Sequence, residues 1–560
     1  MFSDESHNLV QIFERSFQAN WERVALTDWG TNVNWTYGDL AQTICFLHLM
    51  FEEHGLQKDD KVALMGRNNS NWVAVYLATI TYGAIVVPIL QDFKPADAIH
   101  IINHSDAKLL FISDSIWEGI DFDQIPDVKV VVSLNDWHAI SAQMEVKHIT
   151  WMYIKRQFLK RYPNRYHAKD VRYDYRSNDA IASINYTSGT TGFSKGVITP
   201  CRALAGQIYL AVDYTHLVFQ DCRHVAFLPL AHAYGCAFDL LGCLSAGGHS
   251  WLIGRTPAPK VLLKAFAEVK PTVILSVPLI LEKIYKKMVV PQITKAPVSW
   301  VLKVPYLDEI VLGKIRETLI NAFGGEFKVF IIGGAPLNAE VEAFLKRINF
   351  PYSVGYGMTE CAPIISFTAD VEQYKTFSCG QPIEGLMEAR IAQPDEDGVG
   401  EIEVHGNNVM YGYYKNDEAT RLTFTDDGWL KTGDLGIIDD QKFIFIKGRN
   451  KTMLLGPSGQ NIYPEEIEAK LNNMPFVNES IVLQNKDNQL VALVYPDMET
   501  ADAEHMTEAM LQEAMETNRR TLNPMLASYE PIQKIIIYPH EFEKTPKKSI
   551  KRFLYSSMAD

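Results

Sequence analysis

The chain has no excess of positive charge, no cysteine framework and no unbroken apolar run long enough to be a convincing membrane span. Its 53 Lys and Arg are outnumbered by 67 Asp and Glu, for a formal net charge of −14. That field argues against general nucleic-acid binding, and any anionic ligand must be held by local cations and backbone N–H groups. Seven cysteines in 560 residues form no close pair at metal-ligand spacing. Neither a disulfide framework nor a structural zinc site is therefore expected, and the compartment reads as reducing and cytoplasmic. The first residues carry acids early and show no basic segment leading into an apolar core, so no secretory signal is expected. Gly 34 and Pro 26 are too few for a low-complexity or collagen-like chain.

One uncharged stretch, from Arg67 to Asp92, has the length of a membrane span, but Asn68, Asn69, Ser70, Asn71, Gly83 and Pro88 interrupt it. It reads instead as a buried helix around Trp72–Tyr82, a turn at Gly83 and a buried strand at Ile85–Ile89. Similar short apolar runs recur at Lys61–Met65, Ala107–Ser113, Val128–Ser133, Val225–Leu228, Thr272–Val277 and Lys328–Ile332, with helical stretches between them. Runs of this kind predict an α/β fold with parallel sheets covered on both faces. Near residue 400 the pattern changes to alternating strands at Gly400–His405 and Gly436–Lys447. A tail then follows with a helix at Pro464–Asn472, a hairpin over Ser480–Tyr495, a helix near Ala503–Leu522 and a strand at Gln533–Tyr538. The expected organisation is a large domain over 1–448 and a small mobile α+β domain over 449–560.

The sharpest chemical signal is Tyr186-Thr187-Ser188-Gly189-Thr190-Thr191-Gly192-Phe193-Ser194-Lys195-Gly196, which follows the apolar run Ala180–Ile184. Hydroxyls, glycine backbone N–H groups and the Lys195 ammonium suit phosphate oxygens. It is not the nucleotide P-loop pattern, because Gly196 stands where that loop has its metal-binding hydroxyl.

This loop resembles the phosphate-binding signature of the adenylate-forming superfamily, which contains acyl-CoA synthetases, luciferases and peptide-synthetase adenylation domains. The resemblance runs along essentially the whole chain. Trp35-Thr36-Tyr37 with Asp39-Leu40 is followed by Pro229-Leu230-Ala231-His232-Ala233-Tyr234-Gly235, then Gly333-Gly334-Ala335-Pro336 and Gly355-Tyr356-Gly357-Met358-Thr359-Glu360. Lys431-Thr432-Gly433-Asp434, Gly448-Arg449-Asn450-Lys451 and Asn461–Glu468 complete the series. The resemblance implies two α/β sheets of parallel type plus a small β-barrel-like part in the large domain.

It also implies roles. Thr187, Ser188, Gly189, Thr190, Thr191, Gly192 and Lys195 would hold the ATP phosphates. Gly333, Gly334, Ala335 and Pro336 would lie against adenine, with Tyr356 stacking on it and Gly357 beside it in the nucleotide site. Thr359 would meet the α-phosphate, and Glu360, with Thr190, would hold Mg²⁺. Asp434 and Arg449 would bind the ribose, His232 would sit at the acyl carboxylate, and Lys451 would be the hinge.

The end of the chain departs from the pattern. In Lys544-Thr545-Pro546-Lys547-Lys548-Ser549-Ile550-Lys551-Arg552 the expected catalytic lysine position falls on Ser549. Lys548 is the chosen substitute and Lys551 the fallback.

The implied chemistry is acid–thiol ligation. A fatty acid is activated by ATP as an acyl-adenylate, pyrophosphate leaves, and CoA takes the acyl group. Lys270-Pro271-Thr272 and Gly459–Pro464 resemble the long-chain branch. An acyl carrier protein is the alternative acceptor, and a non-catalytic acyl or nucleotide binder is the remote one. Fatty substrates partition into bilayers, so peripheral membrane association is compatible, although no amphipathic basic helix stands out.

Overall fold

The structure is a computed structural model that describes residues 7–31, 33–187, 195–254, 258–294, 307–450, 452–455, 461–527, 530–545 and 549–559. Its largest sheet has eight strands, in the order Gly412–Tyr413, Lys195–Pro200, Ile181–Thr187, Ile85–Ile89, Lys61–Met65, Ala107–Ile112, Val130–Ser133 and Ala139–Ala142. The five central strands from Ile181–Thr187 to Val130–Ser133 run parallel, and the flanking strands are antiparallel. The apolar runs are continuous because both faces are covered. Along Lys61–Met65, Val62 and Leu64 enter one core cluster while Ala63 and Met65 enter another on the opposite face.

A second layer joins two smaller sheets. Strands Arg223–Ala226, His249–Leu252 and Val24–Asp28 run parallel, with Val33–Thr36 antiparallel at the edge. Ile274–Ser276, Phe330–Ile332 and Tyr352–Val354 form a parallel set. The Thr272 N–H donates to Arg223 O at 2.9 Å, linking the two sets. The Thr36/Asp39 signature is a helix start. Thr36 Oγ1 accepts from the Asp39 N–H and Asp39 Oδ2 accepts from the Thr36 N–H, a reciprocal cap on helix Tyr37–Glu53.

The uncharged stretch after Arg67 forms helix Ser70–Tyr82, a left-handed Gly83 and strand Ile85–Ile89. No helix among the described residues is long and apolar enough to cross a membrane. The barrel-like part requires correction. Met387–Ala392, Gly400–Gly406, Leu430–Ile438 and Ile444–Arg449 form an open antiparallel sheet, whose two outer strands do not pair among the described residues. Four strands are too few to close round a filled interior, which takes about five to eight.

Beyond Arg449 the chain builds its own core. Antiparallel strands Val477–Gln484 and Leu490–Pro496 and the parallel strand Ile532–Ile537 form a sheet. Helices Pro464–Leu471 and Glu508–Leu522 cover it through Ile467, Leu471, Leu511 and Met515. The single helix expected near Ala503–Leu522 is two, Met498–Ala503 and Glu508–Leu522. His505 takes a left-handed turn at φ 56° between them, and the Thr507 side chain caps the second helix. The expected hinge, Lys451, lies outside the described residues.

Candidate active site

The phosphate-loop motif is framed by a hairpin. Ile181–Thr187 and Lys195–Pro200 pair antiparallel, with Thr187 opposite Lys195. Of the loop residues assigned to phosphate, Thr187 and Lys195 are placed at its two ends, while Ser188, Gly189, Thr190, Thr191 and Gly192 lie outside the described residues. Lys195 lies over the Tyr413 ring, its Nζ 4.6 Å from the centroid.

Tyr413 belongs to Gly412–Tyr413, the strand next to Lys195–Pro200. Its hydroxyl donates to Glu360 Oε1 at 2.9 Å. One tyrosine thus touches both the loop cation and the carboxylate assigned to the metal. Burial, followed by the Glu360 charge, drives the Tyr413 phenol upward in pKa, so it stays a donor across the physiological range. The residue was missed in the sequence. Its only signal there is the aromatic cluster Tyr411-Gly412-Tyr413-Tyr414 between the Gly355–Glu360 and Lys431–Asp434 motifs.

Glu360 and Thr359 sit on a 3₁₀ turn, Thr359–Cys361, following the short strand Tyr356–Gly357. Gly357 is required there: a Cβ would come within 2.2 Å of the Pro363 carbonyl oxygen. The backbone therefore doubles back tightly and delivers Thr359 and Glu360 next to Tyr356.

Tyr356 is not an open stacking face in this structure. It is 7% exposed and its hydroxyl donates to Asp434 Oδ2 at 2.6 Å. Asp434 Oδ1 meets Arg449 Nε at 3.0 Å, with the Arg449 side chain largely in solvent. Burial raises the Asp434 carboxyl, and the Arg449 cation is the largest influence opposing that rise. Strand pairing fixes the set, since Asp434 lies opposite Arg449 across neighbouring strands. Gly433 precedes Asp434 in a left-handed conformation at φ 74°. Its N–H donates to Glu401 Oε1 at 3.0 Å and its carbonyl accepts from the Asn450 N–H at 2.9 Å.

The turn Gly333–Pro336 leaves strand Phe330–Ile332, with Gly334, Ala335 and Pro336 exposed. Tyr234 packs its ring against Gly333 and donates to Ile331 O at 3.2 Å. That contact joins the turn to the loop carrying His232. His232 itself caps the short helix Ala233–Gly235 and accepts from the Tyr234 N–H at 3.4 Å. Leu230 and Ala233 of this loop line a small recess with Tyr76, Cys236, Asn185 and Thr199.

The candidate catalytic lysine, Lys548, lies outside the described residues. Its flanks pair as a bridge between Lys544 and Ile550. Lys544 is held by Glu479 at 2.6 Å and Glu541 at 2.7 Å, and Lys551 by Glu543 at 2.7 Å. Lys551, the fallback, is thus committed to a carboxylate of its own domain. Arg552 is likewise bound to Glu468 through two nitrogens.

The short segment from Tyr356 to Glu360 joins two sets of polar groups. Lys195 and Glu360 share Tyr413, while Tyr356, Asp434 and Arg449 form a hydrogen-bonded row. Glu360 offers a hard carboxylate oxygen, a donor type that suits Mg²⁺, which takes few protein ligands and fills its shell with water and phosphate.

The chain belongs to the AMP-binding enzyme family, which it matches over residues 13–414. Residues 452–557 match the AMP-binding enzyme C-terminal domain. It is 28% identical over 546 residues to long-chain-fatty-acid–CoA ligase FadD15 of Mycobacterium bovis, covering 89% of this chain and 86% of that one. It is also 28% identical over 483 residues to peroxisomal OPC-8:0-CoA ligase 1 of Arabidopsis thaliana, covering 85% and 81%. Its fold is similar to that of ATP-bound MatB from Rhodopseudomonas palustris, with a TM-score of 0.75 at 23% identity over 98% of this chain and 100% of that one.

Proposed function

We propose that this protein is an AMP-forming acid–thiol ligase that activates a fatty acid with ATP and passes the acyl group to CoA. The observation that carries the reading is that Lys195 and Glu360 share Tyr413, while Tyr356, four residues before Glu360, binds Asp434 and through it Arg449. Such a set offers cation and carboxylate for phosphate and metal at one end and hydrogen-bonding partners for a sugar at the other.

In the first half-reaction a carboxylate oxygen of the fatty acid attacks the α-phosphorus of ATP, and the bond to pyrophosphate breaks. In the second, the CoA sulfur attacks the acyl carbon, the bond to AMP breaks, and the thiol proton is lost. Negative charge grows on the phosphoryl oxygens and on the departing pyrophosphate, so the protein's main task is positioning and positive charge. Lys195 supplies a cation at the loop. Thr359 brings a hydroxyl beside Glu360, and Asp434 with Arg449 orients the sugar. Glu360 and Thr190 would hold Mg²⁺, which neutralises phosphate charge when bound. The names of the ligases that the chain resembles support a fatty acid as substrate.

The test is acid-dependent ATP–pyrophosphate exchange over a panel of fatty acids, then product analysis with CoA and with an acyl carrier protein. Exchange with long-chain acids and formation of acyl-CoA support the reading. Exchange with carrier protein as the only acceptor replaces CoA, and no exchange with any acid overturns catalysis.

A further inference from the structure

The sequence has no close cysteine pair, but the fold brings two distant cysteines and a histidine together. Cys222, His224 and Cys243 present ligand atoms that all lie within 4.8 Å of one another. The two thiol sulfurs are 4.0 Å apart. Cys222, His224 and Cys243 are each 0% exposed, and neighbouring Asp239 is 1% exposed.

The local structure explains the convergence. Cys222 and His224 are two residues apart at the start of strand Arg223–Ala226, so their side chains leave the same face. Asp239 and Cys243 are four apart on the helical run Cys236–Ser245, and so share one face of it. Gly248 lets the next strand approach, since a Cβ there would fall 2.4 Å from the Cys222 sulfur and 2.8 Å from the Cys243 sulfur. Tyr37 pins that glycine by donating to its carbonyl at 2.7 Å.

The polar atoms of this cluster are incompletely satisfied. His224 Nδ1 meets Asp239 Oδ1 at 3.2 Å, while His224 Nε2 and Asp239 Oδ2 have no hydrogen-bond partner. Ser250, opposite His224 in strand register, is also fully buried with an unpartnered hydroxyl. Buried polar atoms without partners are rare and cost roughly 1–3 kcal/mol each.

We propose that Cys222, Cys243 and His224 hold a zinc ion through three protein ligands, with Asp239 orienting the histidine and a non-protein ligand such as water taking the fourth tetrahedral position. Two thiolates neutralise a dication, so the ion and its sulfur ligands add no net charge to the buried cluster. Tetrahedral zinc with sulfur at about 2.3 Å requires sulfurs about 3.8 Å apart, close to the observed 4.0 Å. A carboxylate on one imidazole nitrogen leaves the other for the metal, a common arrangement around zinc-bound histidines. A disulfide accounts for the cluster less well. It requires the sulfurs to close to about 2.05 Å, and it leaves His224 Nε2 unpartnered. The site also has a structural consequence. Its ligands come from both sides of the Pro229–Gly235 loop, so the metal fastens the two ends of the segment that carries His232.

The test uses full-length, untagged protein. Metal analysis after exhaustive dialysis should find about one zinc per chain, and X-ray absorption at the zinc edge should show two sulfur neighbours at about 2.3 Å and nitrogen at about 2.0–2.1 Å. Protein made with cobalt in place of zinc should show thiolate-to-cobalt charge-transfer bands and tetrahedral d–d bands. Cys243→Ser should lose both signals. Asp239→Asn should keep the sulfur signature but release metal to a competing chelator about 10–100-fold more readily. If Cys243→Ser fails to fold, the wild-type absorption and cobalt spectra decide alone. Substoichiometric metal in the wild type, a zinc shell without sulfur, or a Cys222–Cys243 disulfide in non-reducing peptide maps overturns the assignment.

Discussion

The Tyr356 hydroxyl donates to Asp434 Oδ2 at 2.6 Å, tying the aromatic residue expected beneath the nucleotide base to the carboxylate expected on its sugar. Both side chains are buried, and Arg449 holds the other carboxylate oxygen. The side chains expected at base and sugar thereby belong to one hydrogen-bonded row and are not independent of each other.

Replacing Tyr356 by Phe keeps the ring and removes that bond. The Asp434 carboxylate loses a charge-assisted partner worth about 1.5–3 kcal/mol, and its orientation loosens. The KM for ATP in pyrophosphate exchange should rise about tenfold or more with a smaller change in kcat. An unchanged KM for ATP would show that the row does not position the nucleotide.

Glu360 is the acidic member of its motif and the acceptor of the Tyr413 hydroxyl. Glu360→Gln keeps the size and removes the charge. Adenylation should fall at least about a hundredfold, and excess Mg²⁺ should restore part of it. Tyr413→Phe removes only the donor and should cost about tenfold or less. Near-normal exchange in Glu360→Gln would remove this residue from the metal-holding role.

The C-terminal cations differ in availability. Lys544 and Lys551 are bound to glutamates of the small domain. Lys551→Ala should therefore leave exchange within about twofold, the scale of an exposed ion pair. Lys548→Ala should cut adenylation by about ten- to a thousandfold and spare thioester formation from preformed acyl-adenylate. The reverse order of effects in single-turnover assays would assign the role to Lys551.

Acid sensitivity should come partly from His48. Its Nε2 donates to Ala78 O at 3.0 Å among the rings of Phe51, Tyr82 and Tyr173. Burial keeps the imidazole neutral, with its pKa brought down to about 4. The unfolded chain takes up this proton near pH 6.5 and the folded one does not. The stabilisation is therefore present above pH 6.5 and is lost as pH falls toward 4, by about 1.4 kcal/mol at pH 5.5. The drop in urea midpoint between pH 7.5 and 5.5 should be smaller in His48→Gln than in the wild type. Equal drops would place the sensitivity elsewhere.

Much of the fold was legible because the buried parallel strands are written as unbroken apolar runs. Lys61–Met65 and Ile85–Ile89 fall at the residues where those runs lie. The open sheet after Met387 was not legible as open, since strand alternation reports which face is buried and not whether the edges meet. In the site, the order of motifs brought Glu360, Asp434 and Arg449 to notice. The partners that hold them escaped, because Tyr413 lies 53 residues from Glu360 and the contact depends on strand neighbours. The cysteine–histidine cluster escaped for the same reason: Cys222 and Cys243 are 21 residues apart and meet only through a helix packed on a strand.

A pocket that carries a lysine and a glutamate risks a short circuit before its ligand arrives, the two charges closing on each other and plugging the space. Tyr413 engages the ammonium through its ring face and the carboxylate through its hydroxyl. It acts as an insulator between opposite poles. On the proposed function, an incoming polyphosphate would displace a weak cation–ring contact and not a formed ion pair, leaving the energy of binding available for alignment. Removing the ring altogether, as in Tyr413→Ala, would let the poles collapse, slowing nucleotide entry more than the chemistry that follows.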